Sequence, residues 1–444
     1  MKENSFYLVS LGCAKNTVDS NSMAALLLQN GYRQVDRAAQ ARLLIVNTCG
    51  FIQSSRDEAI QVLEELAQKK RHGQLLIAAG CLTERFGQYV AKKVPQLDGI
   101  LGTKNWMDIV AVAERLRSEN PIKPLFHLPQ AAQLSRDEFG ISRAAIQGGS
   151  AYLKIADGCH RPCAFCTIPL IKGTTVSRPI SAIIKDAQAL QENNIQELIL
   201  IAQDTTSYGY DLGLKDGLVT LLDHLTKEVP HIPWIRIMYA YPGYVTDQLI
   251  ERMATQPQIL HYLDMPLQHA HPKTLARMQR PANMDWVQKT IEKMRAAIPD
   301  LTLRTTFIVG YPGETEDEFQ ALLDFIAEIH FDRIGVFPFS FEPGTASEPL
   351  GDPIPPEVKQ ERLEKVMLLQ QEISQQKNQA QIGNILSVII EGYENNISIG
   401  RSYRDAPEID GLVFADGKVS VGKIAQVKIT GALPYDLLGH IQEQ

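Results

Sequence analysis

The stretch Gly158-Cys159-His160-Arg161-Pro162-Cys163-Ala164-Phe165-Cys166 organises the chain. It follows the apolar run Ala151-Tyr152-Leu153-Lys154-Ile155-Ala156, which reads as a strand. A strand ending in a loop with a CxxxCxxC spacing can wrap three thiols around one small object. The thiolate is the ligating form, and iron–sulfur clusters and zinc are its usual guests. Three local ligands leave a fourth position, filled by a distant residue or left open. His160 adjoins Cys159 and would have to fold back sharply to serve. The plain alternative is three buried structural thiols. Half of the chain's six Cys within eight residues argues against it.

With an aromatic, Phe165, just before its last Cys, the loop resembles the radical S-adenosylmethionine (SAM) superfamily. The resemblance implies a 4Fe-4S cluster on Cys159, Cys163 and Cys166 whose fourth iron chelates the amino and carboxylate groups of SAM.

Around this stretch lies ordinary globular material. A chain of 444 residues predicts two or three domains. Hydrophobic residues make up 44% and charged ones 21%, and the net charge is −7, so no overall field attracts nucleic acid. No apolar run is long enough to span a bilayer, and Met1-Lys2-Glu3-Asn4-Ser5 leads into no signal core. A cytoplasmic protein with no membrane partner is expected. In such a chain Cys residues are ligands more often than disulfides.

The remaining Cys are dispersed but share one setting. Ser5–Gly12 leads to Cys13, Ala41–Thr48 to Cys49, and Gln74–Gly80 to Cys81. Each lead-in is a near-continuous apolar run, as in strands buried on both faces. Helical patterns separate them: Val18 to Gln29, Ser54-Ser55 through Lys70, and Glu84 to Lys93. The alternation predicts a doubly wound parallel α/β domain over 1–117, with the three Cys at the ligand-binding edge. Dispersed Cys followed by a radical SAM loop resemble the methylthiotransferase family, which replaces an unactivated C–H by C–S–CH3. Leu11-Gly12-Cys13-Ala14-Lys15-Asn16-Thr17-Val18-Asp19-Ser20 is similar to the branch acting on a ribosomal protein, with Ala14 and Asn21 in place of its Pro and Glu.

Pro121, Pro124, Pro129 and Gly148-Gly149 mark a linker over 118–149. From 150 to 376, six apolar runs alternate with helical patterns and predict a partial TIM-like (β/α)6 barrel. The resemblance places Phe165, Gln203, Arg304, Gly310 and Glu314 at SAM-binding positions. Arg304 also reads as a barrel-interior charge paired with Asp264, and Glu314 as a cap for the next helix. Gln203–Gly209 and Asp264–His269 are again similar to the ribosomal-protein branch.

Glu357 to Gln381 reads as a polar bridging helix. Short strands with hairpin signals at Asn395-Asn396 and Asp416-Gly417 then predict a small β-barrel over 377–444, similar to a TRAM domain. Here six bases face eight acids, a net of −2. This disfavours a nucleic-acid contact and makes Asp405, Glu408 and Asp410 an expected docking patch for a basic protein.

The resemblance covers nearly the whole chain. It implies reductive SAM cleavage at one cluster and hydrogen abstraction from an unactivated carbon. Sulfur comes from a second 4Fe-4S cluster on Cys13, Cys49 and Cys81, and the methyl group from another SAM. The implied substrate is an aspartate β-carbon of the twelfth small-subunit ribosomal protein, with flavodoxin or ferredoxin as electron donor. The rival readings are a tRNA adenosine methylthiotransferase and a non-catalytic cluster- or zinc-containing RNA-binding module.

Overall fold

The computed structural model describes residues 4–118, 124–129 and 140–442. The chain forms two compact units: residues 1–145, 152–161 and 166–186, and residues 146–151, 162–165 and 187–444.

In the first unit the strands run in the order Arg33–Gln34, Ser5–Ser10, Leu43–Thr48, Leu75–Gly80, Gly99–Gly102, Leu125–His127, all parallel. Leu43–Thr48 and Leu75–Gly80 are buried throughout, because apolar cores cover both faces of the sheet. The chain reverses direction across the sheet between Ser5–Ser10 and Leu43–Thr48. At that switch point the flanking connections leave to opposite faces and open a crevice at the strand ends. Leu125–His127 lies in the stretch that reads as a linker, yet it pairs as an edge strand; Pro121 falls outside the described residues.

In the second unit Glu197–Ile201, Trp234–Ile237, Ile259–Asp264, Thr302–Val309 and Arg333–Pro338 lie side by side, parallel and in chain order. Ser150–Lys154 precedes them in the same sheet, giving the six strands expected. Ala144–Gln147 adds a seventh that sequence did not foresee.

The helix Pro356–Gln379 bridges this sheet and the C-terminal barrel through its polar side chains. Gln370 donates to the carbonyls of Phe331 and Asp332, and Asn378 to those of Leu433 and Pro434. The barrel is closed by five strands, Ile385–Glu394, Ile397–Ser402, Val413–Asp416, Leu437–Ile441 and Ile424–Ala432 in spatial order. Asn395 and Asn396 both have positive φ, 48° and 67°, as a two-residue hairpin turn of type I′ requires. Leu437–Ile441 was not legible, and its parallel pairing with Val413–Asp416 closes the barrel.

The expected acidic patch does not exist. Asp405 is 1% exposed, and its Oδ1 accepts from Arg333 Nη2 at 2.6 Å. Asp410 accepts from the Tyr262 hydroxyl at 2.7 Å and from Arg304 Nε at 3.3 Å. Both acids serve as internal counter-ions to cations of the central sheet. Glu408 alone stays exposed, bonded to Gln147. Lys418, Lys423 and Lys428 then face only Glu394, Glu408 and Asp416 as exposed charges among the described residues of the barrel, so net charge no longer argues against a nucleic-acid contact. Arg401 is likewise internal: its Nη2 stands 2.7 Å from Glu197, which also receives Arg236 Nε at 2.6 Å. Burial pushes Glu197 up, but the two arginines outweigh it and hold the carboxyl at about 2.

Removing one member of a buried ion pair strands the other. Asp405→Ala is therefore expected to cost about 3–5 kcal/mol. Glu408→Ala should stay within about 0.5 kcal/mol, as exposed substitutions do. Urea midpoints of the two variants check the contrast, and equal midpoints would contradict it.

Candidate active site

The N-terminal cysteines sit where strands end and helices begin. Cys13 is the N-cap of the helix Ala14–Gln29, and Cys81 is the first residue of Cys81–Lys93. Cys49 follows Leu43–Thr48 directly. These helices begin three or four residues earlier than the sequence pattern shows, which puts the thiols at helix N-termini.

The three loops approach one another closely. Gly12 has φ of +89°, and a Cβ there would lie 2.9 Å from Cys49 Sγ, so only glycine lets the Cys13 loop pass Cys49. A Cβ on Gly50 would lie 2.6 Å from Leu82 Cα, next to Cys81. Asn16 Nδ2 donates to the Leu11 and Asn47 carbonyls, and Asn47 Nδ2 returns a bond to the Asn16 carbonyl. Burial pushes the Cys81 thiol up to about 12, with Lys172 opposing and Cys13 and Cys49 adding to the rise. Burial and Cys13 also raise Cys49. Thiols that perturb one another are near neighbours. A cationic metal group would supply the compensation that burial denies the thiolates, so the donor set fits such a group. Among the described residues, no three His, Cys, Asp or Glu side chains converge at single-ion distances.

The central loop is divided between the units, with Cys159 and Cys166 in the first and Cys163 in the second. Gly158, at φ +74°, lies so close to the Thr174 carbonyl that no Cβ fits. Cys159 N donates to the Gly173 carbonyl at 3.0 Å, and Arg161 N points at Cys159 Sγ at 3.5 Å. His160 bonds Thr175 at 3.0 Å. In the second unit Arg280 Nη1 stands 3.5 Å from Cys163 Sγ, and its guanidinium lies 4.1 Å from the centre of the Tyr241 ring. Nothing in the spacing of Arg280 signals this contact, which joins residues 117 apart. Phe165 packs with Met278, Tyr311 and Phe339, and the Ala164 backbone bonds Met278 and Ser347.

Of the other expected positions, Gln203, Gly310 and Glu314 follow the C-terminal ends of strands of the central sheet, while Arg304 lies near the start of Thr302–Val309. Gln203 follows Glu197–Ile201, and its buried Oε1 has no hydrogen-bond partner among the described residues. A buried acceptor left open is a group aimed at a missing donor. Gly310 ends Thr302–Val309 with φ +71°. Glu314 does not cap the next helix; Thr315 and Glu318 form that capping box. Its carboxylate instead accepts from Tyr311 N and from Arg362 Nη1, each at 3.0 Å, which fixes the Gly310–Glu314 turn. Burial pushes it up to about 7 against the pull of Arg362. Arg304 is paired inside the sheet, as its reading as an interior charge beside Asp264 expects. It is taken up by Asp264 at 2.9 Å and Asp410 at 3.3 Å, which hold its pKa above the ordinary arginine value despite burial. Tyr239 and Gln268, just past their strands, adopt φ of 61° and 78°, strain of the kind that collects at functional edges.

His269 was not foreseen as titrating unusually. It is fully buried, and its Nδ1 accepts from His271 N at 2.9 Å. Burial pushes its pKa from 6.5 down to about 3. The native state therefore binds fewer protons than the unfolded one over that interval. Its contribution is fully present above pH 6.5 and lost as pH falls toward about 3, on the order of a few kcal/mol. His269→Gln should flatten the acid limb of the urea midpoint between pH 7 and pH 4; an unchanged slope would contradict this.

Comparison with known proteins joins these pieces. Residues 5–102 match Uncharacterized protein family UPF0004, 153–326 the Radical SAM superfamily, and 382–441 the TRAM domain. Ribosomal protein uS12 methylthiotransferase RimO of Roseiflexus sp. (strain RS-1) is 45% identical, covering 99% of this chain and 97% of that protein. The protein of the same name from Herpetosiphon aurantiacus is 46% identical, covering 98% and 99%. The radical S-adenosylmethionine methyltransferase TsrM of Kitasatospora setae, solved with cobalamin and a [4Fe-4S] cluster, shares the fold: TM-score 0.58 at 11% identity, over 78% of this chain and 74% of that one. Among the described residues no helix is long and apolar enough to cross a membrane. With relatives this similar along nearly its entire length, the chain belongs to the family of ribosomal protein uS12 methylthiotransferases, RimO.

Proposed function

We propose that the chain replaces a hydrogen on the β-carbon of an aspartate of ribosomal protein uS12 by a methylthio group. The observation that carries this reading is the 45% identity over 99% of the chain to a protein named for that activity. The cysteines at the strand ends support it. Cys13, Cys49 and Cys81 would hold one 4Fe-4S cluster and Cys159, Cys163 and Cys166 the other, three ligands each. When bound, the clusters and SAM supply the radical, sulfur and methyl chemistry.

The chain's own groups bind and orient. Gln203 offers SAM its open acceptor, the Gly310–Glu314 turn brings backbone to the cofactor, and Phe165 presents the backbone beside it. Arg280 lies beside Cys163 and would help orient that side chain. Arg304, held by two carboxylates, acts at one remove by fixing the strand that ends in Gly310. We place the sulfur-donating domain at 1–117, the linker at 118–149, the SAM domain at 150–376 and the barrel at 377–444. The setting proposed is the cytoplasm, with flavodoxin or ferredoxin as electron donor.

The test is anaerobic incubation of the iron-loaded protein with purified uS12, SAM and a reductant, read by mass spectrometry. One aspartate should gain a methylthio group in place of a hydrogen, and 5′-deoxyadenosine should accumulate. Product on tRNA but not on uS12 would overturn the substrate. A colourless, zinc-containing protein would overturn the enzyme.

A further inference from the structure

Five ionisable side chains lie together in the first unit, none more than 3% exposed: Asp19, Arg143, Lys154, Asp157 and Lys172. Asp19 Oδ1 is 2.5 Å from both Lys154 Nζ and Arg143 Nη2, and its Oδ2 is 2.9 Å from Lys172 Nζ. Asp157 Oδ1 stands 3.0 Å from Lys154 and 3.5 Å from Lys172. Arg143 stacks over Trp106 at 4.4 Å, and its Nε and Nη1 are buried without hydrogen-bond partners among the described residues. Carboxylates and ammonium groups at these distances belong ionised. Three cations then face two anions, leaving one positive charge in excess. Charge of this kind taken out of water costs several kcal/mol per ion unless an opposite charge meets it.

The missing charge has an address. Asp19 lies on the helix capped by Cys13. Lys172 ends the helix Ile168–Lys172, which packs on the helix that begins at Cys81. Three thiolates on a cubane core of charge two plus carry one negative charge in excess.

We propose that this buried cluster is the built-in counter-charge of the iron–sulfur group on Cys13, Cys49 and Cys81, with Lys172 as the positioning residue that holds it. The field of Lys172 at Cys81, second only to burial there, agrees in sign. Burial lowers the Lys154 pKa against the opposing pull of Asp157 and Asp19. Lys172 is held charged by Asp19, Asp157 and Cys81 against burial. Because reduction adds a negative charge to the group, the excess positive charge eases it. The inference rests on reading these three Cys as cluster ligands.

The experiment uses the full chain with Cys159, Cys163 and Cys166 replaced by Ala, so that only the N-terminal group reports. Its reduction potential and its rate of iron loss to a chelator are measured anaerobically. Lys172→Met removes a positive charge and should lower the potential and hasten iron loss. Asp19→Asn removes a negative charge and should raise the potential. Lys172→Arg should restore the wild-type value. Opposite shifts are the signature of charge, since structural damage would move both variants the same way. Shifts of one sign, or unmoved potentials with iron retained, overturn the inference alone. Should Lys172→Met fail to hold iron, Asp19→Asn decides: a rise supports the inference, and no rise overturns it. A background protein without iron overturns the reading of an independent N-terminal cluster, and the inference with it.

Discussion

Replacing Cys159, Cys163 and Cys166 together by Ala is expected to abolish SAM cleavage and to leave about half of the iron in place. The argument is structural. Cys13, Cys49 and Cys81 hang from a sheet with apolar cores on both of its faces, and none of those strands uses the central loop. Their loops are held by the Asn16 and Asn47 bonds and by the glycine contact at Gly12. The N-terminal site should therefore keep its iron and its spectrum. The central site loses every thiol it has. Iron per chain and the yield of 5′-deoxyadenosine measure the result. A folded variant that lost all its iron would show that the two sites are not independent.

The reverse replacement, Cys13, Cys49 and Cys81 by Ala, should spare SAM cleavage and eliminate the methylthio product. Gln203, Gly310 and Glu314, the groups proposed to meet SAM, belong to the second unit; Cys159 and Cys166 share the first unit with the three N-terminal Cys but sit on a separate loop. The three thiols sit at strand ends outside the apolar cores of the sheet, so the fold should survive their loss. The expected effect is a loss of product by several orders of magnitude with 5′-deoxyadenosine still formed, because the removed site supplies a reactant and no slower route replaces it. Methylthiolated uS12 from this variant would take the N-terminal cysteines out of the sulfur-donating role.

Much of the fold was legible before any coordinates. Apolar runs such as Leu43–Thr48 declare a strand buried on both faces, because such a strand has no solvent side to mark with polar residues. A Cys after each of three such runs was enough to place the three cysteines at one sheet edge, since parallel strands end on the same side. Local chemistry also carried the Asn395-Asn396 turn, whose positive φ values a short amide side chain tolerates.

What escaped depends on partners distant in sequence. Asp405 and Asp410 read as a surface patch because composition counts charges without locating them; Arg333 and Arg304, 72 and 106 residues away, turn both into buried counter-ions. Arg280 beside Cys163 is separated from it by 117 residues and follows no periodicity. Leu125–His127 lies in a proline-marked stretch, and only its neighbour Gly99–Gly102 makes it a strand. The sequence by itself determined which segments are buried, which residue types end them and hence the cofactor class. Tertiary structure decided which charges meet, because that energy lies in distances between elements, and no local pattern encodes them.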